Sequence, residues 1–454
     1  MATLTTLTQE YLDLAAELGN ARLAYEFEEM VDYMKGSRAI AHGEYVRSCY
    51  APRLFTVDIL RQLAADMHLL YGIFKKVFAA FFEDAAYRAL WGFDAREEAL
   101  ILASSHRWQA AMLPMARVDF FFDDATGAYT FCEFNTDGTS AMIEDFELTH
   151  AQERYSSAWR TFTERHRCET AELLDSWVRT FLAVYQRVRP QAAQPPRVAI
   201  VDYLECSYKN ELELFCERFT ELGVACCVCD VRDLTYENGT VRDAAGMPVD
   251  AIYRRAVTSD VLAHWDVSQA LIRGAADGAV VLLGDFHTQL VHNKTIFRML
   301  LHPATEALLT PTEQAYLHAH VPYTAAFNDC TAEILADLAA HKDRWILKPQ
   351  DSYASQGVHA GVECLPEEWA QLLVRIENDP VLRANYIVQA FHTPYTSENY
   401  GFVDESLTRN TYYNLTGLYM YDGHPAGMYS RVSLTPIIST QYSEKTLPTL
   451  FVEE

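Results

Sequence analysis

Positive charge is scarce in this chain: 37 lysines and arginines stand against 62 aspartates and glutamates over 454 residues, a formal charge of −25 and a pI near 5.0. That balance argues against a nucleic-acid backbone or an anionic membrane as the main partner, and any anionic ligand must find a local positive pocket. No apolar run approaches the roughly 18 residues of a membrane-spanning helix. The opening MATLTTLTQEYLDL lacks the basic and apolar regions of a signal peptide, so a soluble, cytoplasmic protein is expected. Neither a GxGxxG after the first buried strand nor a GxxxxGK[ST] occurs, which leaves a dinucleotide fold without specific support and excludes a P-loop. Internal repeats of 20–50 residues and zinc-type histidine spacing are missing too. Ten scattered cysteines suit a reducing compartment. Their one close cluster, Cys226-Cys227-Val228-Cys229, lies in an apolar strand-like run and reads as buried small thiols.

What is present is an ordinary globular composition, half apolar and 22% charged, with room for about three domains of roughly 150 residues. Residues 1 to about 110 are mostly helical by pattern, with apolar residues three and four apart over 12–34 and 57–82. Phe74, Phe78, Phe81 and Phe82 form a plain helix stripe and read as packing core. A strand pair and further helices occupy 111–190, and the proline-rich 189–197 is the clearest linker. From 197 to 290 buried strand runs alternate with helices, the βαβ rhythm of an open sheet, with Asn238-Gly239 as a hairpin turn. Residues 291–454 read as α+β, with strands at 345–350, 385–391 and 418–451.

The stretch around which the rest is arranged is 115–142, MARVDFFFDDATGAYTFCEFNTDGTSAM, read as a β-hairpin. Its arms carry Arg117-x-Asp119 and Glu133-x-Asn135, and side chains two apart on a strand face the same way. A turn centred on 125–127 places Asp119 opposite Glu133 and Arg117 opposite Asn135. Opposed carboxylates repel unless a cation lies between them. The all-oxygen set Asp119, Glu133 and Asn135 suits Mg²⁺ or Mn²⁺ and not Zn²⁺. Arg117 beside it is placed to hold a phosphate or a developing oxyanion. The plainer reading is a surface hairpin with one solvated face. Against it stand Phe120-Phe121-Phe122 and Phe131, which predict a buried back and therefore a charged face lining a cleft. The polar run 136–140 that follows could meet an anion.

Other candidates are individually weaker. Lys348 lies in the strand run WILKPQ before a small polar loop containing Ser352, Ser355, Gln356 and Gly357, and taken alone reads more readily as surface decoration. Asn293-Lys294 opens a helical segment, where a lysine opposes the macrodipole and hints at an anionic partner. Arg254-Arg255 are adjacent on a strand and face oppositely, so at most one need serve a site, and Arg431 lies in a late strand.

Taken together these residues resemble the circularly permuted ATP-grasp enzymes, the synthetase half of glutathionylspermidine synthetase and its relatives, over about residue 105 onward. Arg117-Val-Asp119, Glu133-Phe-Asn135, Asn293-Lys294 and Lys348-Pro349 match that family's elements one by one, and the hairpin precedes the lysines, as in the permuted group. The resemblance implies an ATP-grasp core with a Rossmann-like pre-ATP-grasp domain, here preceded by helices and lacking a cysteine amidase domain. It implies an ATP- and Mg²⁺-dependent ligase that joins a small-molecule carboxylate to an amine through an acyl phosphate. Asp119, Glu133 and Asn135 would hold the metal. Lys294 and Lys348 would bind the phosphates of ATP, and Arg117 the transition-state charge. By the same resemblance Ser355, Gln356 and Gly357 form the phosphate loop, Gln389, Ala390 and Phe391 line the adenine, and Thr139, Ser140 and Arg431 face substrate. The phosphate loop is poorer in glycine than the family's. An inactive ATP-grasp-like protein that binds nucleotide or peptide is the alternative, and a metal-dependent phosphohydrolase a third reading. The acid, the amine and the oligomeric state are not legible.

Overall fold

The computed structural model of the chain describes residues 3–41, 43–105, 107–192, 194–205, 207–352, 355–403, 406–439 and 444–453. The architecture is mixed α/β with several sheets. In the sheet that carries the hairpin, strands Met115–Phe122 and Tyr129–Asn135 form one edge. The first arm pairs antiparallel with Ser406–Tyr421, which pairs in turn with His424–Ser433 and, along its other half, with Thr396–Val403.

The back of the hairpin is buried as its phenylalanines predict. Phe120, Phe131 and Phe134 join Phe74, Phe78 and Phe81 of the long helix Val57–Glu83 in one apolar cluster, with the rings of Phe74 and Phe134 5.4 Å apart. Strand alternation turns Phe121 to the opposite face, against His392.

A second sheet is four-stranded and wholly parallel, in the order Val281–Leu283, Ala251–Arg254, Val198–Asp202, Cys226–Asp230. Its near-continuous apolar strands are the sequence signature of a sheet covered on both faces. Asn238 and Gly239 both have positive φ in the turn between Thr235–Glu237 and Thr240–Arg242, as the hairpin reading requires. In the cysteine cluster, burial pushes the Cys227 thiol up to about 12 and the Cys229 thiol to about 11, which keeps them protonated. A third, antiparallel sheet contains Trp345–Pro349 next to Tyr386–Ala390.

Three local expectations change. The helix expected over 12–34 breaks at Gly19, φ 76°, into Leu4–Glu17 and Asn20–Gly36. Residues 146–188 are three helices, Met142–Tyr155, Ser157–Arg165 and Asp175–Val188, with a short strand Cys168–Thr170 between the last two. The N-terminal segment, expected to be mostly helical, also contains strand Arg53–Thr56, parallel to Thr449–Val452. Four residues without alternation carry no periodic signal, and the partner lies about 400 residues away.

Asp145, 1% exposed, accepts the Thr449 N–H at 3.1 Å and ties helix Met142–Tyr155 to that sheet. Burial raises its pKa to about 7 from 3.8, against the opposing effect of the Thr449 N–H. A carboxyl with a raised native pKa stabilises fully below its unfolded pKa, and that contribution is lost as pH rises through the native value. Asp145→Asn, which keeps the acceptor and removes the ionisation, should therefore flatten the loss of stability between pH 4 and 7 by up to about 4 kcal/mol. Denaturant midpoints at several pH values measure this, and an unchanged slope would refute it.

Candidate active site

The hairpin register pairs Arg117 with Asn135 and Asp119 with Glu133, as expected from the sequence. The turn itself is centred half a residue earlier, since beyond Asp119 the partners become Phe120 and Phe131. A bulge at Cys132 absorbs the difference. It also turns the Cys132 carbonyl toward Lys348, whose Nζ lies 3.4 Å away.

Lys348 ends strand Trp345–Pro349 and donates to Gln389 Oε1 at 2.8 Å, while Gln389 donates to Thr324 at 2.9 Å. Lys294 lies in the short link between helices Gln289–His292 and Thr295–Leu300. Its Nζ meets Glu133 Oε1 at 3.1 Å and donates to the Ser352 carbonyl at 2.8 Å. Burial pushes the Glu133 carboxyl up, but Lys294, Lys348 and His292 together outweigh it and hold the group down at about 2. Glu133 is thus a permanently charged acceptor, and the two lysines form the local positive pocket that a chain of this charge requires.

Asp119 is 1% exposed and fully engaged. Arg117 grips it with Nε to Oδ1 at 2.7 Å and Nη2 to Oδ2 at 3.0 Å, and Asn135 Nδ2 and Arg431 Nη2 reach Oδ2 at 3.1 and 3.3 Å. Burial works against the charge on Arg117, yet the Asp119 carboxylate holds its pKa well above the ordinary value. The expectation that Asp119 ligates a metal does not fit this donor set. A cation on either oxygen would lie close to two guanidiniums, and a unit pair of like charges about 4 Å apart repels by about 4 kcal/mol at an effective dielectric near 20. Glu133 and Asn135 do fit. Glu133 is ionised, and Asn135, having turned its amide nitrogen to Asp119, keeps its carbonyl as an acceptor. Mg²⁺ commonly takes one or two carboxylates and completes its shell with water and phosphate. Among the described residues no group of three or more His, Cys, Asp or Glu is arranged to hold a metal ion.

These elements enclose a cavity of about 350 Å³. Of the residues expected to serve a site, Arg117, Glu133, Asn135, Thr139, Ser140, Arg255, Lys294, Lys348, Ser355, Gln389, Ala390, Phe391 and Arg431 line it. Asp119 lies beneath them. Gln356 and Gly357 are exposed and outside the lining, because the Gly357 carbonyl is held by Tyr386 at 3.0 Å. Tyr353 and Ala354, within the expected loop, lie outside the described residues.

Arg254 is also turned away from the cavity. It forms an ion pair with Asp137 in which neither side chain is exposed, and it donates to the Ala256 carbonyl at 2.6 Å. Asp137 in turn accepts the Thr258 N–H at 2.6 Å. The pair fastens the hairpin's exit loop to the parallel sheet. Gly138, φ 62°, completes the join, since a Cβ there would lie 2.6 Å from the Arg255 carbonyl oxygen. Arg255 faces the other way, as strand alternation demands, and pairs with Glu211 at 2.9 Å.

The chain has the fold of a glutathione synthetase like-effector from Globodera pallida, solved in its apo form. The TM-score is 0.62 at 11% identity, over 95% of this chain and 98% of that one. A protein from Methylobacillus flagellatus KT assigned as a gamma-glutamylcysteine synthetase superposes with a TM-score of 0.43 at 11% identity, over 88% of this chain and 89% of that one, too loosely to carry an argument. No family model and no curated protein matches the sequence. Among the described residues no helix is long and apolar enough to cross a membrane.

Several lining residues escaped sequence reasoning. Glu144 accepts Thr446 Oγ1 at 2.7 Å and Tyr429 OH at 2.9 Å, and burial still pushes its carboxyl up to about 7. Asp202 ends the first parallel strand, where burial raises it to about 6 against the pull of Arg255. The carboxyl end of a parallel strand was the available signal for Asp202. Glu97 had none. It comes from helix Ala95–Ala103 in the N-terminal segment and accepts Gln289 Nε2 at 3.0 Å, while the same nitrogen reaches Asp351 at 2.6 Å. The first hundred residues therefore abut the loop that follows Lys348.

Proposed function

We propose that this cavity is the active site of an ATP- and Mg²⁺-dependent carboxylate–amine ligase, related in arrangement to glutathionylspermidine synthetase and to circularly permuted ATP-grasp chains. The observation that carries the reading is the convergence, in one cavity, of Lys294, Lys348 and the ionised Glu133 at one place with Arg117 and Arg431 beside them. The hairpin strands 115–122 and 129–135 complete a sheet otherwise built from residues after 395, which suits a permuted order. The domain reading accompanies it: a helical 1–110, the hairpin and its helices at 111–190, a pre-ATP-grasp α/β unit at 197–290 and the ATP-binding part at 291–454.

In this reading Lys294 Nζ and Lys348 Nζ hold phosphate oxygens, and Gln389, Ala390 and Phe391 line the base. Glu133 and Asn135 would hold Mg²⁺ or Mn²⁺, which would supply charge neutralisation for the phosphates. A carboxylate oxygen of the acid attacks the γ-phosphorus and ADP leaves. The amine then attacks the acyl carbon, and phosphate departs as the amide forms. Arg117 and Arg431 face the oxygens on which charge collects in both steps. The partners are a small carboxylate and a small amine, in the cytoplasm.

One observation favours the alternative of a nucleotide- or peptide-binding protein without catalysis: Asp119 is committed to guanidiniums and not to metal. Hydroxylamine separates the two. With ATP, Mg²⁺ and a panel of amino acids and peptide acids, a ligase should yield hydroxamate with equal ADP and phosphate. Saturable ATP binding with no hydroxamate across the panel would decide for the binding protein, and phosphate without hydroxamate for a hydrolase.

A further inference from the structure

Three strands meet at Asp119. On its own strand, Arg117 shares its face, two residues away. Across the ladder the partner of Asp119 is Gly417, and the partner of Gly417 on the next strand is Tyr429, which shares a face with Arg431. A Cβ on residue 417 would lie 2.6 Å from Asp119 Oδ1 and 2.7 Å from Arg117 Cδ. The missing side chain is therefore the gap through which the Asp119 carboxylate reaches Arg431, over the top of an intervening strand. Behind the gap the Tyr429 ring lies 5.0 Å from the Arg117 guanidinium and 5.7 Å from that of Arg431. Two guanidiniums from separate strands are thus gathered on one carboxylate and backed by one ring. Arg431 Nη1 also donates to Glu444 at 3.2 Å, and among the described residues its buried Nε–H donates to no partner.

We infer that Asp119 is a positioning residue which sets Arg117 and Arg431 to receive one phosphoryl-type oxyanion, that Gly417 makes this possible, and that metal binding at the hairpin rests on Glu133 without Asp119. The identity of the anion rests on the ligase reading, but the test uses equilibrium binding alone, so a protein that never ligates can still pass or fail it.

The test compares wild type with Asp119→Asn, Gly417→Ala and Glu133→Gln, each checked for an unchanged near-ultraviolet circular dichroism spectrum. The asparagine turns one acceptor into a donor that faces three N–H groups, so the guanidiniums lose their common anchor. In EDTA, affinity for inorganic phosphate should fall at least about tenfold in Asp119→Asn and Gly417→Ala. Without chelator, Mn²⁺ affinity read from the spin resonance of the free ion should stay within about threefold of wild type in Asp119→Asn, and fall at least about tenfold in Glu133→Gln. An Mn²⁺ loss in Asp119→Asn as large as in Glu133→Gln would make Asp119 a ligand and overturn the inference. So would phosphate binding that is absent from wild type or unchanged in Asp119→Asn. If Gly417→Ala does not fold, Asp119→Asn decides alone.

Discussion

Replacing Glu133 with glutamine is expected to cut ATP-dependent turnover at least about a hundredfold while leaving the fold intact, the consequence of removing several kcal/mol of charge stabilisation from the phosphoryl-transfer step. The amide is isosteric, and it lies on the cavity face of a hairpin whose stability comes from the phenylalanines behind it. What it removes is specific. The ionised carboxylate is the only negative group that the described structure places against Lys294 Nζ, and its pKa near 2 means that no change of pH in the working range imitates the mutation. Activity in Glu133→Gln should therefore be low at every pH and not recover under acidic or alkaline conditions. A variant with full Mg²⁺-dependent turnover would take the metal, and with it the ligase reading, away from this hairpin.

The second large effect is on stability and concerns Arg254. Arg254→Met should cost about 3–5 kcal/mol, because it takes the guanidinium away from the buried Asp137 carboxylate and leaves it the Thr258 N–H alone. Neither side chain of the pair has any exposure. Denaturant unfolding would show the loss as a lower midpoint. The double variant Arg254→Met/Asp137→Leu should recover a part of it by removing the orphaned charge as well. Arg255→Met removes a partner from Glu211 and faces the cavity, so its signature should include weaker ligand binding. If instead Arg254→Met unfolds like wild type and only raises the KM for the acid, Arg254 belongs to substrate recognition and the buried pair is incidental.

The contrast between these two arginines shows where sequence reasoning reaches and where it stops. Strand alternation stated that Arg254 and Arg255 point to opposite faces and that one at most serves a site. Which face was the cavity depended on how the parallel sheet is placed against the hairpin's exit loop, a matter of tertiary docking without local signature. The hairpin was legible because its polar pairs, apolar back and turn all lie within 30 residues. Even there the pairing came out right although the turn was placed half a residue late, since the bulge at Cys132 has no sequence marker in a run of ordinary strand formers. The role of Asp119 could not be read from its position in an Arg-x-Asp pair, because the deciding partner, Arg431, is three hundred residues further on. Gly417 is the clearest case. A lone glycine in a strand signals a close approach, but only the register says what approaches.

That register has a consequence for how the protein comes into being. Met115–Phe122 emerges from the ribosome early, and the strand that covers its open edge, Ser406–Tyr421, is translated about 290 residues later. At synthesis rates of roughly 5–20 residues per second this is a wait of about 15 to 60 s. During it a hairpin with Phe120, Phe122, Phe131 and Phe134 on one side presents an unpaired row of backbone donors and acceptors on its edge, the form in which strands join the wrong neighbour. Placing Arg117 and Asp119 on that strand sets charge beside the waiting edge. Charge on an open edge is one of the ways natural sheets discourage such pairing.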